Sequence, residues 1–120
     1  MSERRQGSTS VVTPLFPVRN SDPAPVAFTR LELNQLLQSY GRGVAEGDWR
    51  DYALDFTKHA AVFSIFRRSA EAALFRIEKR PALAQRQGAY AIVDQRGVTL
   101  RRGHDLARVL LALRPMKSLK

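Results

Sequence analysis

At 120 residues, 44% hydrophobic and 26% charged, the chain has room for one modest core and no second domain. It contains no cysteine, which excludes disulfides, thiolate metal sites and thiol nucleophiles together. Its formal net charge of +9 is lopsided: residues 1–66 hold seven Lys or Arg against seven Asp or Glu, whereas residues 67–120 hold thirteen against four. Such a field favours polyanions and acidic partners. The longest apolar run, residues 109–113, falls far short of the ~18 residues of a membrane span. No apolar segment of signal-peptide length precedes the first prolines, so the expectation is a soluble cytoplasmic protein.

Residues 1–27 hold four prolines (Pro14, Pro17, Pro23, Pro25) among Ser, Thr and Asn, with Val11, Val12, Leu15, Phe16 and Val18 as a small apolar patch. That composition buries too little to offset its ordering entropy, so these residues read as a disordered arm and residues 28–120 as the folded domain. A helix then announces its own start. Thr29 and Glu32 have capping-box spacing, and Phe28 and Leu33 that of a hydrophobic staple. Leu33, Leu36, Leu37, Tyr40 and Val44 fall on one stripe, and Gly47 supplies the stop. Gly41 and Gly43 each cost about 1 kcal/mol in a helix interior. Either the last turn is weak or another backbone approaches closely there.

Residues 48–57 alternate, with Tyr52, Leu54 and Phe56 to one side and Asp51, Ala53 and Asp55 to the other, as in a half-buried strand. Residues 60–68 place Val62, Phe63, Ile65 and Phe66 on both parities, the pattern of a central strand covered on both faces or nearly so. A third strand spans 72–79, with Phe75 and Ile77 inward and Arg76 and Glu78 toward water; Pro81 ends it. After a loop over 80–88, a fourth strand (89–94) joins a fifth (98–102) through Gln95-Arg96-Gly97, a hairpin signal. Leu106, Val109, Leu110 and Leu113 form the buried stripe of a last helix over 105–114, closed by Pro115. Trp49, where the first strand begins, is expected at the edge of the core or on the surface.

Every strand connection is short, and short connections force antiparallel neighbours. The order therefore predicts an α+β domain: a five-stranded antiparallel meander flanked by an N-terminal and a C-terminal helix on one sheet face, with the other face polar.

No P-loop, dinucleotide fingerprint or nucleophile elbow is present, and His59 and His104 lie in different loops. No catalytic residue, cofactor or metal is assigned. The candidates are cationic instead. Arg101 and Arg102 end a strand and are followed by Gly103, His104 and Asp105 at a helix start, where guanidinium and backbone N–H groups suit an anion; a plain turn capped by His104 or Asp105 fits the same residues. Arg67, Arg68 and Arg76 belong with Lys79, Arg80, Arg86 and Arg96 to a wider basic set suited to phosphate contacts, with Tyr90 or Trp49 for stacking. The expected function is a binding module for nucleic acid or another polyanion, through Arg67, Arg68, Arg76, Arg101, Arg102 and His104. The alternatives are a non-catalytic interaction or regulatory adaptor, with an acidic protein as partner, and a surface that only solubilises.

Residues 47–53 (GDWRDYA), 61–68 (AVFSIFRR), 74–79 (LFRIEK), 86–90 (RQGAY) and 102–106 (RGHDL) together resemble a family of small alphaproteobacterial proteins known only as a domain of unknown function. The resemblance spans about residues 28–113. It implies a bacterial cytoplasmic protein and carries no activity, cofactor or site residue with it.

Overall fold

The computed structural model describes residues 24–68 and 71–113. Its first helix, α1 (Arg30–Ala45), starts as its sequence dictates: the Glu32 N–H donates to the Thr29 hydroxyl at 3.1 Å, and the Thr29 N–H donates to Glu32 Oε1 at 2.8 Å. Leu36 is fully buried, and Phe28, Leu33, Leu37 and Tyr40 pack against the core around it. Val44, the last member of the expected stripe, is exposed.

Five strands follow: β1 (Asp51–Phe56), β2 (Ala61–Phe66), β3 (Phe75–Lys79), β4 (Tyr90–Asp94) and β5 (Thr99–Gly103). They lie side by side in chain order, each antiparallel to its neighbours. A short helix, α2 (Leu106–Leu110), completes the domain. The structure is thus the α+β meander with a helix at either end.

Residues directly opposite on neighbouring strands share a face, and the register defines two. Leu54, Phe63, Ile77 and Ile92 form one row across β1 to β4, and Tyr52, Ile65 and Phe75 another. These inner-face residues meet Leu36 of α1 and Leu106, Val109, Leu110 and Leu113 at the chain's other end. Both helices therefore pack on that single face. The opposite, outer face carries Asp51, Ala53, Asp55, Val62, Ser64, Phe66, Arg76, Glu78, Ala91, Val93 and Arg102. In β2, the expected central strand, Phe63 and Ile65 are buried inside, while Ser64 is buried and Val62 and Phe66 half-buried outside.

Several boundaries differ from expectation. β3 begins at Phe75 rather than Ala72; Phe75 faces Asp94, the last residue of β4, on one side and Ile65 on the other. The loop after β3 contains one 3₁₀ turn, Pro81–Leu83. In the last helix α2 proper covers Leu106–Leu110, a turn follows at 111–112, and Leu113, again helical, reaches the core; the expected end at Arg114 and Pro115 lies outside the described residues. So does the expected arm, apart from residues 24–27. There the Val26 N–H donates to the Thr57 carbonyl at 2.8 Å, and the Ala27 carbonyl accepts from Lys79 Nζ at 2.8 Å, so the backbone is already tied to the body before the helix begins.

Trp49 is the largest correction to the expected core. It is buried, with its ring 6.4 Å from Tyr40 and 6.2 Å from Phe75. Gly43 makes the seat: a Cβ there would overlap the indole ring, whereas one on Gly41 would have no heavy atom within 4 Å. The close approach at Gly43 thus comes from a side chain, not from a backbone.

Candidate functional site

The candidate site is the outer face of β3, β4 and β5, which neither α1 nor α2 covers. Strand alternation puts Arg76 and Glu78 of β3 on this face, and the chain continues to Arg80 just past the strand's end. Glu78 sits between the two arginines, with Oε1 3.1 Å from Arg80 Nε and Oε2 3.8 Å from Arg76 Nε. One carboxylate so spaces two guanidinium groups along the strand without neutralising both. On β4 the residues opposite are small: Ala91 faces Glu78 and Val93 faces Arg76, both buried. Beyond them Arg102 of β5 faces Ala91 and donates from Nη1 to the Gly88 carbonyl at 3.4 Å. The result is a buried pair of small residues, Ala91 and Val93, with arginine-bearing strands on both sides, two strand spacings or ~10 Å apart.

Arg67 and Arg68 stand exposed where β2 ends, beyond half-buried Phe66. They lie at the end of the sheet where β3 begins, next to Arg76 rather than Arg80. Arg101 does not join it. Adjacent residues in a strand point to opposite faces, and Arg101 faces Ile92 on the inner side, exposed at the sheet's rim. The helix start beyond β5 is occupied by the chain itself: Asp105 caps α2, accepting the Ala107 N–H at 3.1 Å, while His104 is exposed before it. The residues proposed for stacking lie elsewhere too. Trp49 is in the core, and the Tyr90 hydroxyl is engaged on the inner side.

That engagement belongs to a polar cluster that sequence reasoning missed. Lys79 and Tyr90 are opposite one another on β3 and β4, facing inward, and both reach Glu32. Lys79 Nζ donates to Glu32 Oε1 at 2.8 Å, and the Tyr90 hydroxyl donates to Glu32 Oε2. Burial alone would push the Glu32 carboxyl up, but the hydrogen bonds from Lys79, Tyr90 and the Thr29 backbone, with the Lys79 charge, leave it below its ordinary value. Burial, together with the Glu32 carboxylate, pushes the Tyr90 hydroxyl up to about 12. Every group here is paired with another of the cluster or the backbone, which suits a fastening between α1 and the sheet.

His59 lies in the β1–β2 turn and His104 beyond β5, at least three strand spacings or ~14 Å apart. Among the described residues, no three His, Asp or Glu side chains are grouped to hold a metal ion, and no helix is long and apolar enough to cross a membrane.

No curated protein and no solved structure matches the chain. A family of proteins of unknown function, DUF2794, does match it over residues 26–110, from the backbone that is tied to Thr57 just past β1 through to the last residue of α2. The chain is a member of that family.

Proposed function

We propose that the protein is a non-catalytic binding module for nucleic acid or a similar polyanion, and that the helix-free sheet face makes the phosphate contacts. The observation that carries this reading is the placement of Arg76, Arg80 and Arg102 around Ala91 and Val93, in the half of the chain that holds all the excess charge. Three guanidinium groups against one carboxylate leave a net positive strip. Phe66 is the one aromatic among the described residues of this face and is half-buried, so recognition rests on phosphate more than on base stacking. Arg67 and Arg68 lengthen the strip; Arg101 and His104 lie to its side.

The test is a salt titration of binding to short labelled DNA and RNA, single- and double-stranded. Affinity should fall steeply with salt and vary little with sequence. Arg76→Ala combined with Arg102→Ala should flatten the logarithmic salt slope by about 2, one for each lost phosphate contact. Arg101→Ala removes one such charge from the other face and should leave the slope nearly unchanged. Absence of binding at low salt, or equal losses in the two variants, would overturn the assignment of this face. An adaptor role draws on a separate observation: Tyr52 and Phe56 are 41% and 47% exposed on β1, an edge strand among the described residues.

A further inference from the structure

We propose that the outward edge of β1 is the seam of a two-fold dimer, in which the β1 strands of two copies pair antiparallel, Tyr52 opposite Phe56 of the second copy and Leu54 opposite its own equivalent. This inference is independent of the polyanion reading, since it uses the other end of the sheet.

The backbone supplies the first argument. The Thr57 N–H donates to the Ala60 carbonyl at 2.9 Å, and these two residues continue the β1–β2 register, in which Phe56 faces Ala61. Hydrogen-bonded and non-hydrogen-bonded pairs alternate in an antiparallel ladder. Asp51, Ala53 and Asp55 therefore turn their N–H and C=O groups toward β2, and Tyr52, Leu54 and Phe56 turn theirs outward. The Tyr52 N–H agrees: its acceptor is the neighbouring Asp51 carboxylate, at 2.9 Å, not β2. Among the described residues an outward ladder of three residues is thus without a partner strand, guarded at one position by a side chain that pairing would release.

Side chains then select the register. Only registers that join even-numbered residues to even-numbered residues use the outward groups. Sliding the second copy by two residues in one direction sets Asp51 against Asp55 of the second copy; in the other direction it sets Asp55 against its own equivalent. Like charges directly opposite destabilise a sheet pair. The register between them uses all three outward residues, places Asp55 against Ala53, and stacks Tyr52 beside Phe56 across the seam. It buries two of the chain's exposed large apolar side chains. The chain's other edge is unsuited to the same pairing, because β5 carries a bulge between its pairings with Ile92 and Val93 and presents Arg101 and Arg102. The seam also falls in residues 1–66, whose net charge is zero, so the excess positive charge stays away from it. Pairing across such an axis is isologous and keeps both helix layers on one side and both arginine strips on the other.

Ala53 tests the register without touching the core, because its side chain is exposed on the outer face. Sedimentation equilibrium of the full chain should show a monomer–dimer equilibrium that Ala53→Lys tightens and Ala53→Asp weakens. Each change should amount to about tenfold, since the two-fold axis applies it against Asp55 twice. Hydrogen exchange should show the Leu54 and Phe56 amides becoming protected as protein concentration rises. A chain that stays monomeric in all three forms overturns the proposal. So does a dimer indifferent to the sign of the charge at position 53, or one whose Leu54 and Phe56 amides exchange at the monomer's rate.

Discussion

The two ends of α1 are fastened to the sheet by different physics. At the N-terminal end, Glu32 closes the capping box and also takes Lys79 and Tyr90 from the sheet, so the helix is held by charge and hydrogen bonds. At the C-terminal end, Gly43 and Trp49 fit by shape, one residue lacking a side chain so that the other can lie flat on the helix. The first fastening depends on pH and on each partner being present. The second is indifferent to pH and intolerant of a single added carbon. Together they close the inner face, and neither fastening involves the arginine-bearing one.

The largest effect should come from the steric end. Gly43→Ala places a methyl group inside the indole ring, and Trp49 must leave its seat to relieve it. Losing most of that aromatic burial should cost about 3 kcal/mol in chemical denaturation. A double-mutant cycle sharpens the point: with Trp49→Leu already in place, Gly43→Ala should cost much less. Additive losses would show that the glycine matters for some reason other than the ring.

The polar end should give a smaller loss with a different signature. Lys79→Met leaves the Glu32 carboxylate nearly buried without its cation; because Tyr90 and the Thr29 N–H remain and the pair is not fully enclosed, the loss should be about 2 kcal/mol at pH 7. The deficit should shrink on acidification. In the native chain the Glu32 carboxyl is lowered from 4.5, so it contributes stability above the unfolded value, and that contribution is lost as pH falls through the folded one. In the variant a protonated Glu32 no longer needs a cation. Tyr90 acts in the opposite range: pushed up to about 12, it contributes stability below pH ~10 that is lost as pH rises toward its folded value. Denaturation midpoints measured from pH 3 to 11 should therefore be flat in the middle and fall at both ends. A Gly43→Ala deficit should stay constant across the same series.

The fold was legible in the sequence because its signals are local. Parity within β2, the Thr29 and Glu32 spacing, and the turn at Gly97 each need only a few neighbouring residues. Trp49 was misjudged because its burial depends on Gly43, whose lack of a side chain was visible but whose occupant was not. The Glu32 cluster was invisible for the same kind of reason: Lys79 and Tyr90 are 47 and 58 residues away, and the local capping role already accounted for the glutamate. The basic candidates fell between these cases. That Arg101 and Arg102 must part to opposite faces follows from strand alternation alone, whereas the meeting of Arg102 with the β3 arginines across Ala91 required the register of three strands.

The smallest expected effect isolates what the two glycines of α1 have in common from what separates them. Gly41 and Gly43 pay the same backbone entropy, and neither has the positive φ that would favour glycine. They differ in direction: two residues along a helix is a rotation of about 200°, which takes Gly43 into the Trp49 seat and leaves Gly41 exposed. Gly41→Ala should therefore recover helix propensity with nothing to displace, raising stability by about 0.5–1 kcal/mol. A gain at Gly41 beside a loss at Gly43 would establish that the seat, not a need for a weak last turn, keeps glycine in this helix. If Gly41→Ala instead destabilised the chain, the end of α1 would have to flex for some other reason, and the steric account of that end would be incomplete.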